Sequence, residues 1–511
     1  MKLSDKISKR VYTPRKINIW TSLGFGINDF VGGGGMTIMG AWLLFFFTTY
    51  CGLSATQGGL IMGIARVLDA ILSLFAGAVT DNFYKTKLGK KFGRRHFWLT
   101  FGAPFLLIFA TIWIPSMNFW YYLVIYVAYD LLSSLLLIPW ETLPTEMTKD
   151  FDERTKLSST RMFISAGGTF LATFIPGQLF KILGQDSPVP FFINGLIFAI
   201  IFVTGMFISS FSTWEKPVSE VEREAAQAAE GKEKVTGLWA KTKNIFGGYG
   251  DALKIKAFRQ HLCIYLFSFT GKDVYNTVFT YFIVFCLGAT ATLSANLMSL
   301  SIIGVVIPLI AGPAMIKFGP KFLYNVSYIT MIVMLAGYYF LFKNNIAIVG
   351  GMVILIYVMS FIYQAARATL EFTPWNVFPF IPDLDEIVTT ESHSGAFASL
   401  MNFARKSTVA ISTIIVGMIL DSNGFVKNNL HQTVQAQNTI ANILLFGAGG
   451  LILIALIISW KFDLNKQSHK VVTDEIARLR AGGSKADATE LTKKTVEDLT
   501  GTPYKKVWNK K

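Results

Sequence analysis

Residues 18–50 read NIWTSLGFGINDFVGGGGMTIMGAWLLFFFTTY, an apolar run broken by one carboxylate, Asp29, and by four consecutive glycines, Gly32 to Gly35. A helix crosses about 30 Å of hydrocarbon with roughly 20 residues at 1.5 Å of rise each. The run is long enough to cross. Comparable runs recur near 57–80, 97–115, 118–142, 157–180 and 189–213, then near 259–287, 293–316, 322–342, 346–372, 396–420 and 437–461. With the first they predict an all-α membrane protein of twelve transmembrane helices.

Composition agrees with this reading. The chain is 52% hydrophobic and 15% charged, with a mean hydropathy of +0.46, whereas soluble domains carry roughly 25% charged residues. The net charge of +15 does not point to nucleic acid, because Lys and Arg are confined to particular connections. Lys2, Lys6, Lys9, Arg10, Arg15 and Lys16 precede the first span, and Lys85, Lys87, Lys90, Lys91, Arg94 and Arg95 follow the second; the opposite connections hold Lys181, Lys343 and Lys427. That asymmetry predicts both termini in the cytoplasm, a plasma-membrane location and contact with the cytoplasmic lipid leaflet. Residues 1–16 are basic and lead straight into a full-length span, unlike a cleavable leader.

Between the two sets of six runs lies EVEREAAQAAEGKEK (220–234), helix-forming but without an apolar face wide enough to span. The expected organisation is an N-terminal segment (1–17), a six-helix half (18–213), a linker (214–258), a second six-helix half (259–461) and a C-terminal tail (462–511). The tail is expected to form one or two short helices interrupted at Gly482 and Gly483. A faint repeat relates the halves: Ala76-Gly77 and Ala311-Gly312 each stand one turn before a basic loop. Two related halves of six helices are the layout of the major facilitator fold, in which solute binds near the midplane.

Ionisable side chains deep in apolar runs are the informative residues, since each costs about 2.5–3.5 kcal/mol or more at the membrane centre unless it faces a cavity or a partner. Asp29 lies roughly 18 Å into the first span at 1.5 Å per residue; it either accepts from solute hydroxyls or bonds the loosened glycine backbone. Arg66, Asp69 and Ser73 share one face of the second span at i, i+3 and i+7. They form either a self-neutralising Arg–Asp pair or a site for a cation or proton. Lys406, beside Arg405, either contacts solute or balances Asp29 or Asp69. Arg161 stands one turn inside the fifth span, where it either snorkels or offers a planar fork to hydroxyls or a carboxylate. Adjacent Lys272 and Asp273 are expected on different faces. Trp140, Glu141 and Trp375 combine rings and a carboxylate, the chemistry of sugar recognition.

No enzyme constellation, metal site or cofactor is expected. The five histidines, His96, His261, His393, His431 and His469, fall near span ends without ligand spacing. The three cysteines, Cys51, Cys263 and Cys286, read as packing residues. Gly32 to Gly35 lacks the Lys of a phosphate loop and reads as helix packing or a hinge.

Taken together, GFGINDF, ARVLDAILSLFAG, GKKFGRRHFWL, IPWETLPTEMTKDFDERTKLSSTRMF and PDLDEIVTTESHSGAFASLMNFARKS resemble the glycoside-pentoside-hexuronide:cation symporters, the melibiose-permease-like branch of the major facilitator superfamily, over roughly residues 18–461. The resemblance implies that Asp29 and Arg161 bind sugar, that Asp69 is the first of two helix-two carboxylates for the coupling cation, that Lys406 lies near the same cavity, and that Trp140 lies beside a fourth-helix aromatic. The chain departs at Leu72 and Ser73, where an Asn and a second Asp would stand, and at Leu137, where a polar residue precedes Ile-Pro. Glu141 is a candidate replacement for that missing acceptor. The resulting expectation is a monomeric secondary transporter that imports a glycoside, pentoside or uronide with H+, preferred over Na+. The alternatives are an uncoupled facilitator or a carrier of an amphiphilic anion or lipid. The expected solute-binding residues are Asp29, Trp140, Glu141, Arg161, Trp375 and Lys406, and the expected coupling residues are Asp69, Ser73 and Arg66.

Overall fold

Asn18 opens the first helix by accepting a hydrogen bond from the Thr21 amide at 2.9 Å, and the apolar residues behind it wind into α1 (Ile19–Tyr50). The computed structural model describes residues 10–148, 150–229, 249–250, 252–390 and 394–508. Lys2, Lys6, Lys9, His393 and residues 230–248 of the expected linker lie outside the described residues.

After α1 come α2 (Ala55–Asn82), α3 (His96–Thr111), α4 (Phe119–Met147), α5 (Phe151–Leu183), α6 (Val189–Ser212) and α7 (Lys256–Tyr281, continued by a wider turn over Phe282–Cys286). They are followed by α8 (Ala291–Val305 and Ile307–Phe318, bent by 53°), α9 (Pro320–Lys343), α10 (Gly351–Thr389), α11 (Ser394–Ser422) and α12 (Val434–Ser459). Every span expected from the sequence falls on one of these helices. Among the described residues nine are long and apolar enough to cross a membrane, or ten if bent α8 is one span. The other two are α3, which is shorter, and α7, whose run carries Arg259, His261, Lys272 and Asp273.

Contacts divide the chain into two units. The first takes in Met1–Glu233, Asn276–Val305 and Val409–Ala441. Within it the glycine run serves packing: a Cβ at Gly33 would lie 2.3 Å from Ser165 Oγ, and one at Gly34 3.3 Å from the Gly168 carbonyl. Only hydrogen at these positions lets α1 lie directly against α5. The helix also widens to π-type turns over Phe30–Gly35 and Met39–Leu43, a local geometry that recurs at functional sites.

At the end of this unit that carries the α1–α2 connection, later segments of the chain close onto it. Asp421 caps α2, accepting from the amides of Ala55 (2.9 Å) and Thr56 (2.7 Å), where the positive helix terminus favours a carboxylate. Asn428 accepts from Gly52 N at 2.9 Å, and Thr48 and Tyr281 share a hydroxyl hydrogen bond of 2.7 Å. A Cβ at Gly417 would stand 2.3 Å from the Ala55 carbonyl. Gly417→Val is therefore expected to destabilise the unit by about 1–3 kcal/mol, the usual cost of overpacking against a backbone that cannot yield. A lowered melting temperature of the purified protein checks this; an unchanged one would mean the approach is not close.

The second unit takes in Lys234–Tyr275, Val306–Thr408 and Asn442–Lys511. Here α9 packs on α10 and α12, with Tyr338 and Ser360 sharing a hydroxyl hydrogen bond of 2.7 Å, and a Cβ at Gly271 would lie 2.8 Å from the Ala448 carbonyl. The tail forms two helices, α13 (Lys466–Arg480) and α14 (Glu490–Thr500), broken at Gly482, whose φ of +89° suits glycine, and at Gly483. They dock on the end of α10 through His469–Asp383 (2.6 Å), Arg480–Glu386 and a Trp508 amide donating to Ile387 O at 2.8 Å.

Candidate solute and coupling sites

In the first unit, α1, α4 and α5 bring four of the expected residues together. Arg161 Nε lies 3.3 Å from Asp29 Oδ2, and Arg161 Nη2 donates to Glu141 Oε1 at 2.8 Å. The guanidinium also lies over the Trp140 ring, 4.6 Å from its centroid. Arg161 does not snorkel; it is the centre of an ionic triad. Asp29 is almost covered, at 8% side-chain exposure, while Arg161 and Glu141 keep 32% and 48%. The open edge of the triad therefore belongs to the guanidinium and Glu141.

Trp140 has a different place from the one a sugar platform would need. It is fully buried, stacks on Phe25 at 5.0 Å and donates Nε1–H to the Phe25 carbonyl at 3.0 Å. With Phe25 stacked against it and Arg161 over its ring, the indole holds the guanidinium by cation–π attraction.

A second polar cluster joins α2 to α4. Arg66 Nη1 pairs with Asp130 Oδ1 at 3.0 Å, so the carboxylate that neutralises it comes from the fourth helix, not only from its own face. Asp69 is buried, at 1% exposure, and accepts a short hydrogen bond from Ser134. Ser73 donates to the Ala70 carbonyl of its own helix at 3.2 Å. Asp130 and Ser134 were not among the residues expected from the sequence. Asp130 stands seven residues before Leu137, two turns along the same helix, so α4 carries an acid after all, displaced from the motif position. Its depth in an apolar run was the signal available.

Removing one partner of such a buried pair strands the other. Arg66→Met is expected to cost about 3–5 kcal/mol, most of it from leaving the Asp130 carboxylate buried and uncompensated. Arg66→Met combined with Asp130→Leu is expected to recover most of that loss. Melting temperatures of the three proteins check this; a single variant as stable as wild type contradicts it.

The two remaining expected residues lie in the second unit. Lys406 is half-buried on α11. Trp375 on α10 is 45% exposed and meets Tyr265 edge-on at 5.6 Å. The same unit assembles charges whose connections the sequence did not disclose. Glu371 Oε1 receives Lys272 Nζ at 3.1 Å and Arg367 Nε at 3.2 Å. Arg405 Nη2 lies 2.5 Å from Asp273 Oδ2. Lys272 and Asp273, adjacent residues expected on different faces, approach within 3.9 Å, because Glu371 and Arg405 on neighbouring helices draw them into one cluster.

The basic connection after α2 is anchored by acids that sequence reading also missed. Arg94 Nη2 and Arg95 Nε both reach Glu146 Oε1 at 2.9 Å. Glu215 accepts from the amides of Arg94, Arg95 and His96 and lies 2.7 Å from His96 Nδ1. Burial pushes the Glu215 carboxyl up, but the hydrogen bonds and charge of His96, with the Arg95 amide, outweigh it and hold the group below its ordinary range.

Helices of spanning length that keep opposite charges in buried clusters, accessible along one edge, define a multi-pass membrane protein of the solute-carrier class. The chain belongs to the MFS/sugar transport protein family, whose sequence profile matches residues 24–466. It is 23% identical to the isoprimeverose transporter of Lactiplantibacillus pentosus, over 81% of this chain and 82% of that one. Identity to the glucuronide carrier protein homolog of Escherichia coli (strain K12) is 24%, over 89% and 95%. The sodium-dependent lysophosphatidylcholine symporter 1-B of Danio rerio is 22% identical, over 90% and 91%. Among solved structures the nucleoside transporter NupG shares the fold, with a TM-score of 0.58 at 12% identity over 87% of this chain and 100% of that one. The chain is thus a transporter of the major facilitator fold, not an enzyme, and its curated relatives are sugar-type carriers and symporters.

Proposed function

We propose that the chain imports a glycoside, pentoside or uronide by proton symport through alternating access. The observation that carries this reading is the triad of Asp29, Arg161 and Glu141. A planar donor fork flanked by two acceptors, two of the three groups accessible, matches the alternating donors and acceptors of vicinal hydroxyls. Trp140 positions Arg161, Trp375 offers a ring to the C–H face of a sugar, and Lys406 contributes positive charge.

Coupling is assigned to Asp69. Asp69 is buried beside Arg66 and bonded to Ser134. A proton on Asp69 removes its charge and lowers the cost of reorienting it through a low-dielectric path. A guanidinium beside Asp69 and the Leu72 and Ser73 of the departing motif disfavour sodium, which would meet a fixed positive charge and few oxygens. Ser73 stands one turn from Asp69 on the same helix and completes the polar face. In the same proposal the protein is a plasma-membrane monomer with both termini cytoplasmic, its six-helix halves (18–213 and 259–461) joined by the linker 214–258.

Uptake of labelled glycosides, pentosides and uronides into proteoliposomes tests this. An inward proton gradient is expected to accumulate at least one of them above equilibrium, and a protonophore to abolish the excess. Equilibration alone, indifferent to proton and sodium gradients, would make the chain a facilitator.

A further inference from the structure

At the end of the first unit that carries the α1–α2 connection, the packed segments leave a cavity of about 340 Å³. Its walls all belong to this unit and come from the end of α1, the α5–α6 and α7–α8 connections and the segment that leads into α12. Phe45, on its wall, stands 16 residues beyond Asp29 on α1, roughly 24 Å along the axis at 1.5 Å per residue. The cavity is therefore separate from the triad of Asp29, Arg161 and Glu141.

Phe45 and Phe285 are buried at its floor with ring centroids 5.9 Å apart, and Leu430 and His431 are exposed at its rim. The polar groups between them are held by bonds of their own. Tyr50 donates its hydroxyl to the Gln185 carbonyl, and Gln185 Oε1 accepts from the Ala291 amide at 2.8 Å, which fixes that carboxamide and leaves its Nε2 hydrogens to donate. Gln432 ties down the loop that carries His431, accepting from Val426 N at 2.8 Å and donating to the carbonyls of Val426 at 2.8 Å and Asn429 at 2.7 Å. Cys286 Sγ donates to the Gln437 main-chain carbonyl at 3.2 Å, so Gln437 is fixed through its backbone while its side chain lines the cavity.

Small-molecule sites of roughly 300–1,000 Å³ share this plan of apolar rings with a few fixed polar groups. Carboxamides and an imidazole donate and accept, as hydroxyls do, and ring faces receive C–H groups. Among the described residues that line the cavity there is no carboxylate, ammonium or guanidinium, so a charged ligand would give up its hydration without a counter-ion. From this we infer that the cavity is a second solute site, for an uncharged polyhydroxylated ring, at the mouth of the carrier. In the topology proposed above this end faces away from the cytoplasm, where imported solute arrives first. The inference rests on the glycoside reading for its ligand and adds a site to it.

The test is equilibrium dialysis of radiolabelled methyl β-glucoside and methyl β-xyloside against the purified full chain, in wild type and in Asp29→Asn, which impairs the deeper triad. Asp29→Asn is expected to keep at least one of the two bound. His431→Leu with Gln437→Leu in that background is expected to weaken this binding by about tenfold, as the loss of two hydrogen-bonding groups implies. Methyl β-glucuronide is expected to bind Asp29→Asn at least about tenfold more weakly than the glucoside. Glycoside binding to wild type that disappears in Asp29→Asn overturns the inference and leaves the glycoside reading standing. Binding to Asp29→Asn that the two substitutions leave unchanged, or a tighter glucuronide, does the same. Binding of neither glycoside to wild type overturns the inference, and the uptake panel above then decides the glycoside reading by itself. Should the double substitution fail to fold, His431→Leu alone decides, with a weakening of about threefold expected from one lost contact at an exposed side chain.

Discussion

Asp29→Asn is expected to lower the initial rate of solute uptake by roughly thirtyfold to several-thousandfold, with the protein still folded. The range corresponds to the 2–5 kcal/mol or so lost when one member of a buried, hydrogen-bonded charge pair is truncated. The covering of Asp29 causes this loss. At 8% exposure it has little access to water, and its Oδ2 lies 3.3 Å from Arg161 Nε. An amide of the same shape keeps one acceptor but cannot balance the guanidinium, which then turns toward Glu141 at 2.8 Å. Glu141→Gln is expected to do far less harm, because its carboxylate is about half exposed and water can take its place. Uptake below saturation, measured beside melting temperature for each variant, checks both. Equal losses for Asp29→Asn and Glu141→Gln would mean that burial does not rank the two acids.

The same contrast shows how much of the molecule could be read from its sequence. The helices were legible because apolar runs of spanning length need no tertiary information, and Asp29 and Arg161 stood out because a charge at depth is costly. Their meeting required knowing that α1 lies on α5, which the run Gly32 to Gly35 makes possible and which no periodicity announces. Arg66 and Asp69 were placed on one face from their spacing alone; the pairing of Arg66 with Asp130 depends on which helix lies opposite that face and in what rotation. For the same reason a ring such as Trp140 reads as a solute platform until Phe25 and Arg161 are seen to occupy it. Arg367 and Glu371 are four residues apart on α10 and were overlooked, although their depth alone marked them; what the sequence could not supply was Lys272 arriving from α7.

The central claim is that Asp69 couples a proton to solute movement. Asp69 is buried, bonded to Ser134 and neighbour to a cluster that holds Arg66 and Asp130. Asn in its place reproduces the size and the acceptor but neither binds nor releases a proton, so the position carries no charge at any pH and the carrier reorients whether or not a proton is present. The measurement is therefore uptake into proteoliposomes under an imposed inward proton gradient, wild type against Asp69→Asn, with solute exchange in the absence of a gradient as the control. Accumulation above equilibrium in wild type, lost in Asp69→Asn while exchange is kept, is the predicted result. Accumulation that survives the substitution, or that follows a sodium gradient and ignores the proton gradient, would contradict the account.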